Sequence, residues 1–169
     1  DIKGDSLELL NTRRMGGSAD VNQANEPRGN QPADILAAVK YLNTSQNLDM
    51  GLMAVLEDDS DNIKGKKFFS SRWLYKSEQG YLGQIVNWVE RATIDREALT
   101  SAIDFGYWQN KLNFSGKLIY SKVQTTKAEN QKSTKGYGSA FNLNYQHNRQ
   151  WTTDFSLLWL DDEIDLNDM

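Results

Sequence analysis

Three segments near the end of the chain alternate between apolar and polar side chains, and this alternation constrains the fold more than any other feature. The segments are residues 112–120, 141–145 and 151–159. One side of them carries Leu112, Phe114, Leu118, Tyr120, Phe141, Leu143, Tyr145, Trp151, Phe155, Leu157 and Trp159. Successive side chains of a strand point to opposite faces of a sheet, so this pattern predicts three half-apolar strands.

The earlier part of the chain carries weaker signals of the same kind. Further candidate strands cover residues 7–14, 48–56, 68–76, 81–90 and 101–108. Residues 32–42 fit two interpretations, because they alternate like a strand but are rich in Ala and Leu and contain a capping Asp34. For this segment, helix propensity slightly favours the helix over the strand. Residues 95–100 are predicted to form one helical turn within a loop.

Composition excludes several classes of protein. Only 38% of the 169 residues are apolar, and no run approaches the ~18 residues of a membrane-spanning helix. The absence of Cys excludes disulfides, thiolate metal sites and Cys nucleophiles. With His147 as the one histidine, neither a His-based triad nor a zinc cluster is expected. The net charge of −4 argues against a nucleic-acid partner.

The candidate strands are joined by connections of two kinds. Short ones cover residues 45–47, 77–80, 109–111 and 146–150, whereas long polar ones cover residues 16–31, 57–66, 121–136 and those from 160 onwards. Short and long connections are thus expected to alternate strictly. Transmembrane β-barrels have short turns on one side and long loops on the other, so this arrangement favours a barrel. A soluble antiparallel β-sandwich is the alternative.

A barrel assigns roles to both faces of its strands. Polar residues on the strands become candidates for lining the lumen: Asp104, Asn113, Lys117, Asn142, Asn144 and Asp154. Aromatic residues near the strand ends become candidates for the membrane interface: Tyr107, Tyr120, Tyr145, Trp151 and Trp159. Trp151 and Trp159 lie eight residues apart, roughly 26 Å along a strand. Tilted by ~40°, this distance covers about 20 Å of the ~25 Å apolar band of a barrel.

Four short segments carry a resemblance to a known family. They are residues 9–16 (LLNTRRMG), 35–40 (ILAAVK), 52–58 (LMAVLED) and 165–169 (DLNDM). The chain resembles, over nearly its whole length, the uncharacterised barrel-like region of large Gram-negative surface proteins, which often follows a carbohydrate-binding-type β-sandwich. The resemblance implies an outer-membrane barrel whose substrate is not established, and a strand rather than a helix over residues 35–43. It supplies no catalytic residues to carry over.

These observations together predict one all-β domain over residues 1–169, an antiparallel up-and-down meander that forms part of a transmembrane β-barrel and belongs to a longer chain. Its expected place is the bacterial outer membrane, with lipid as partner and carbohydrate as a partner of an attached domain. Solute passage or anchoring of a surface domain is the expected role. No catalysis, cofactor or metal is expected, and the acidic runs at 58–61 and 161–165 are interpreted as solvated loops.

The alternative to this role is a soluble all-β domain that binds carbohydrate or peptide. Such a domain would present Trp73, Trp88 or Trp108 to its ligand. An enzyme with a pair of catalytic carboxylates ranks third, because nothing in the spacing of the acidic residues favours it.

Overall fold

A computed structural model describes residues 33–59, 64–125 and 132–166 as one antiparallel sheet. Its strands are β1 (Ile35–Thr44), β2 (Leu48–Glu57), β3 (Lys67–Ser77), β4 (Gly80–Arg91), β5 (Arg96–Gln109), β6 (Leu112–Thr125), β7 (Lys132–Gln146) and β8 (Thr152–Leu160). Each strand pairs with the next in chain order, and the sheet is not closed between β1 and β8. The predicted all-β up-and-down meander is therefore confirmed. Within the three described ranges, no helix is both long and apolar enough to cross a membrane.

The alternating segments lie in β6, β7 and β8, as predicted. The register places Phe114 opposite Leu143, and Leu143 opposite Phe155. Directly opposite residues in an antiparallel pair share one face of the sheet. The apolar side of each segment therefore continues across three strands.

Both helical interpretations are wrong. Residues 35–44 form β1, which pairs with β2 without interruption from Ala37 to Thr44, and this ladder outweighs the helix propensity of Ala and Leu. The strand implied by the family resemblance is what forms there. Arg96 to Thr100 begin β5, and the helical geometry nearby is a single 3₁₀ turn at Ala92–Ile94. The candidate strand at 7–14 and the connection at 16–31 lie outside the described residues.

The strict alternation of short and long connections is also wrong at one position. Only residues 92–95 join β4 to β5, because Arg96 already pairs with Arg91 and Thr125 on its two neighbouring strands. Strands β6 and β7 likewise extend to Thr125 and from Lys132, so most of the expected loop at 121–136 is strand. At the opposite end of the sheet, the turns are short throughout.

The sheet has two faces of different chemistry. What we call the apolar face carries, among others, Leu52, Phe69, Trp73, Leu82, Trp88, Ile103, Phe105, Phe114, Leu118, Phe141, Leu143, Phe155 and Leu157. What we call the polar face carries, among others, Asp49, Ser70, Arg72, Lys76, Asn87, Thr100, Asp104, Asn113, Lys117, Ser121, Asn142, Asn144 and Asp154.

The apolar face is the more exposed of the two. On the polar face Asn87, Thr100 and Ser121 are buried, whereas Leu82 and Phe155 on the apolar face are each 56% exposed. Large apolar groups of a water-soluble protein are usually the ones removed from water. The apolar face is therefore an extended hydrophobic surface that the described residues do not cover.

One cluster of buried apolar residues forms a row at the end of the sheet away from the short turns, and Ala102, Ile119 and Ala140 are buried nearer the centre. Val55, Phe68, Val89, Ala98 and Val123 lie directly opposite one another on β2 to β6, on the same face as the polar residues. This row lies between the centre of the polar face and the ends of the longer connections.

Candidate functional site

Ion pairs cross the polar face near its centre. Arg72 on β3 reaches over β4 and donates two hydrogen bonds to the carboxylate of Asp104 on β5, the Nη2–Oδ2 distance being 2.7 Å. Asp104 is only 4% exposed, so its charge depends on this bidentate partner. Lys76 forms a second pair with Asp49 on β2, with an Nζ–Oδ1 distance of 2.9 Å.

Glycine at position 83 makes the first of these pairs geometrically feasible. Gly83 lies opposite both Leu74 and Asp104 in the register, between the two partners. A Cβ atom there would lie 2.6 Å from Arg72 Nη2 and 2.8 Å from Asp104 Oδ1. The guanidinium therefore occupies the space that any other side chain would take.

All six predicted lumen-lining residues lie on the polar face. Lys117 is directly opposite Asp104, while Asn113, Asn144 and Asp154 form one cross-strand row. Asn144 donates a hydrogen bond from Nδ2 to Asp154. Asn142 lies one row nearer the centre of the sheet, opposite Ser115 and Ser156.

Sequence reasoning did not single out Asp49, Arg72 and Lys76, three further charged residues of this face. Within β3, Arg72 and Lys76 alternate with Phe69, Trp73 and Tyr75, so they already belong to the polar side of that strand. Their partners follow only from the register of β2, β4 and β5.

A groove of about 400 Å³ opens on the polar face next to the short turns. Its aromatic wall is formed by Tyr81 and Trp108, whose ring centroids are 6.1 Å apart with the planes tilted by 41°. Its other lining residues include Gly106, Asn113, Ser115, Asn142 and Asn144. The ring of Tyr81 lies across Gly106, where a Cβ atom would be 2.3 Å from Tyr81 Cε1.

The orientation of Trp108 is set by the neighbouring turn. Its indole Nε1 donates to the carbonyl of Glu78 at 3.0 Å, and its backbone N donates to the carbonyl of Gln79 at 2.8 Å. The polar atom of the indole is thus satisfied by the protein, while the residue remains 42% exposed. Part of its apolar surface is available to a ligand.

The chain beyond β8 returns onto the polar face. Asp165 accepts a hydrogen bond from Arg96 Nη2 at 2.7 Å, and its backbone N donates to Ser121 Oγ at 3.1 Å. Ile164 lies so close to Gly136 that a Cβ atom at Gly136 would be 2.3 Å from Ile164 Cα. The polar face therefore binds a segment of its own chain by an ion pair, a hydrogen bond and backbone contact.

Four of the five predicted interface aromatics occupy apolar-face positions of their strands: Tyr107, Tyr120, Tyr145 and Trp159. Tyr120 packs against Tyr137 at the end near the longer connections, with ring centroids 5.3 Å apart. Tyr107 and Tyr145 lie at the end near the short turns, and Trp151 directly precedes β8. Trp159 lies on the same face, opposite Ser139.

No metal site is formed by His or carboxylate side chains in the ranges that the structure describes. In the acidic run after β8, the backbone N of Glu163 donates to Asp161 Oδ1 at 3.3 Å, and the backbone N of Asp161 donates to the carbonyl of Tyr137 at 2.9 Å. His147 lies in the connection between β7 and β8, with Nε2 2.8 Å from Thr153 Oγ1 and its ring against Tyr145.

Comparison of the chain with models of protein families, with curated proteins and with solved structures found no match to any of them.

Proposed function

We propose that this sheet is part of the wall of a β-barrel in the bacterial outer membrane, with the apolar face toward lipid and the polar face toward an aqueous lumen. The proposed role is passage of solute, or anchoring of a surface domain, without chemistry of its own. The division between the two faces carries this proposal. In barrels of this kind, strands alternate between apolar outward and polar inward residues.

The positions of the aromatic residues support the proposal. Tyr137 and Tyr145 lie on the apolar face of β7 and are separated by Ser139, Phe141 and Leu143 on that face. Eight residue steps correspond to about 26 Å along the strand. At a tilt of ~40° this is about 20 Å along the membrane normal, close to the ~25 Å apolar band between two aromatic girdles. Tyr side chains favour both edges of such a band because the ring is apolar and the hydroxyl is polar.

The open sheet supports a lumen wider than that of the smallest barrels. A closed barrel of eight strands is filled by its own side chains, whereas larger barrels leave an aqueous channel. Eight strands are already present without closure. In lipid the unpaired edges of β1 and β8 need partners, because every backbone polar group must be satisfied. The proposed wall is therefore completed by strands outside the described sheet.

The ion pairs and the returning segment fit the lumen side. Arg72–Asp104 and Lys76–Asp49 would be costly against hydrocarbon but are ordinary in a water-filled channel, where such charges tune selectivity. The segment that places Asp165 on Arg96 occupies the same side, as loops do inside plugged barrels.

Membrane fractionation tests the proposal directly. Expressed in a Gram-negative host behind a secretory signal peptide, together with the strands that complete the wall, the protein is expected in the outer-membrane fraction, to require detergent for extraction, and to migrate differently on SDS gels before and after boiling. Recovery as a detergent-free folded monomer would overturn the proposal. It would favour the alternative, a soluble all-β domain for carbohydrate or peptide, of which the exposed Trp108 beside the groove is the supporting feature.

Tryptophan quenching by brominated lipids tests which face meets the bilayer. Two single-tryptophan variants are compared, one retaining Trp73 of the apolar face and one retaining Trp108 of the polar face, with Phe at the other four positions. These two residues are similarly exposed, at 49% and 42%. Strong quenching of Trp73 and weak quenching of Trp108 are expected. Equal quenching, or the reverse order, would contradict the proposed orientation.

A further inference from the structure

We propose that the groove beside Tyr81 and Trp108 is a binding site for an uncharged oligosaccharide. It lies on the polar face, next to the short turns, and is separate from the ion pairs and from the segment bound at Arg96. Three properties of the groove lead to this assignment: its aromatic wall, its row of amides and its lack of charged lining residues.

The aromatic wall offers the surface on which sugar rings pack. The C–H groups of a pyranose ring form an apolar patch that stacks on an aromatic face, whose π-electrons carry partial negative charge. Tyr81 and Trp108 present two rings at an angle of 41°, so that the wall is bent rather than flat. The ring of Tyr81 packs directly over Gly106, in the space that the side chain of any larger residue at position 106 would take.

The amides supply both donors and acceptors for hydroxyl groups. An Asn side chain carries one carbonyl oxygen and an NH₂ group, so it can bind a sugar hydroxyl in either role. Asn113 and Asn144 are directly opposite on β6 and β7, and Asn142 follows two residues from Asn144 on the same face. Within the described part of the chain, the side-chain amides of Asn113 and Asn142 make no hydrogen bond to the protein.

The charge distribution favours a neutral ligand. The groove is lined by aromatic, Asn, Ser and Gly residues. Charged residues lie near the groove but not in its lining. Lys76, opposite Tyr81, is paired with Asp49 at 2.9 Å, and Asp154 accepts a hydrogen bond from Asn144. Lys117 lies two residues from Ser115 on the same face of β6. An acidic or a basic sugar would find no free opposite charge in the lining, whereas hydroxyl groups would find several partners. Pockets that combine an apolar wall with a few placed polar groups typically orient a small ligand in this way.

If the groove lies in a lumen, the oligosaccharide that it binds is also the solute that passes through, and this part of the inference rests on the proposed function. Sugar binding by the groove does not, because it requires only the folded polar face. Failure of the barrel proposal and failure of the sugar-binding proposal can therefore be distinguished. Fractionation and lipid quenching test the barrel, and binding in micelles tests the sugar site.

The experiment is a titration of the purified protein in a zwitterionic or amine-oxide detergent without a sugar headgroup. The probes are maltohexaose, cellohexaose and xylohexaose, with the tryptophan fluorescence and the heat of binding as readouts. Saturable binding of at least one probe is expected, and unlabelled short-chain alcohols should not displace it. Substitution Trp108→Ala is expected to weaken binding about tenfold, which is the size of effect that loss of one aromatic contact produces.

The matched control is Trp73→Ala, which removes a similarly exposed indole from the opposite face and is expected to leave the dissociation constant unchanged. A second variant, Asn142→Ala, tests the amides without removing an aromatic residue and is expected to weaken binding about threefold to tenfold. Far-UV circular dichroism verifies that each variant is folded. Absence of saturable binding for all three probes, or equal binding by the two tryptophan variants, would overturn the proposal.

Discussion

Arg72 and Asp104 form a bidentate ion pair over Gly83, joining two strands that are not neighbours in the sheet. The pair places a nearly buried carboxylate at the centre of the polar face, directly opposite Lys117. It restricts how far β3 and β5 can move apart, because both hydrogen bonds span β4. This relationship leads to the first prediction.

Substitution Arg72→Met is expected to lower the free energy of unfolding by about 1–3 kcal/mol, because it leaves the buried carboxylate of Asp104 without its hydrogen-bond donors. The double variant Arg72→Met, Asp104→Asn is expected to recover part of this loss, since the amide carries no charge. Urea unfolding in detergent micelles, monitored by tryptophan fluorescence, gives the free energy of unfolding of each single variant and of the double variant. Strictly additive effects of the two substitutions would show that the residues are not energetically coupled.

The second prediction concerns the segment after β8. In Gly136→Ala the new methyl group would collide with the backbone of Ile164, so residues 161–166 must move away from the polar face. The backbone amide of Asp165 is expected to exchange its hydrogen about tenfold faster, because the segment loses contacts that include an ordinary hydrogen bond of about 1 kcal/mol.

Gly51→Ala is the control for this variant. Gly51 lies on the same face, but a Cβ atom there has its nearest contacts with two side chains, the end of Leu42 at 3.3 Å and Cβ of Arg72 at 4.0 Å. Exchange at Asp165 is expected to stay unchanged in this variant. Unchanged exchange in Gly136→Ala as well would mean that the segment does not lie against β7.

The third prediction compares two neighbouring residues of β8 on opposite faces. Leu157 is 49% exposed on the apolar face, and Ser156 is exposed on the polar face. In a barrel, Leu157→Lys is expected to cost about 2–4 kcal/mol near the middle of the bilayer, whereas Ser156→Lys is expected to have little effect. Folding yield in lipid vesicles and the unfolding free energy measure both variants. If Leu157→Lys instead changes stability by less than about 0.5 kcal/mol, as on a water-exposed surface, lipid does not contact this face.

The fourth prediction concerns Thr100, whose side-chain oxygen is buried and has no hydrogen-bond partner among the described residues. Thr100→Val replaces this hydroxyl by a methyl group of similar shape. The variant is expected to be more stable by about 1 kcal/mol, because an unpaired buried polar group is removed. Urea unfolding measures the change. A decrease of about the same size would show that the hydroxyl binds a group within the folded protein, and Thr100→Ser, which retains the hydroxyl, distinguishes this from a packing defect.

The sequence by itself determined the strands of the second half of the chain and the chemistry of their two faces. Apolar and polar residues alternate with a period of two in each of the segments that contain Phe114, Leu143 and Phe155. Only a strand converts that period into a continuous apolar face. The polar candidates could be assigned to one face for the same reason, since Asp104, Asn113 and Asp154 all occupy the intervening positions.

Only the tertiary structure decided which of these residues meet. Arg72 and Asp104 are 32 residues apart, and the groove joins Tyr81 to Trp108 and to asparagines of β6 and β7. The cross-strand register sets these neighbours, and a shift of one residue would move every side chain to the other face. Residues 35–44 illustrate the same dependence, because their local preference for helix was overcome by hydrogen bonds to β2, a partner that no local pattern specifies.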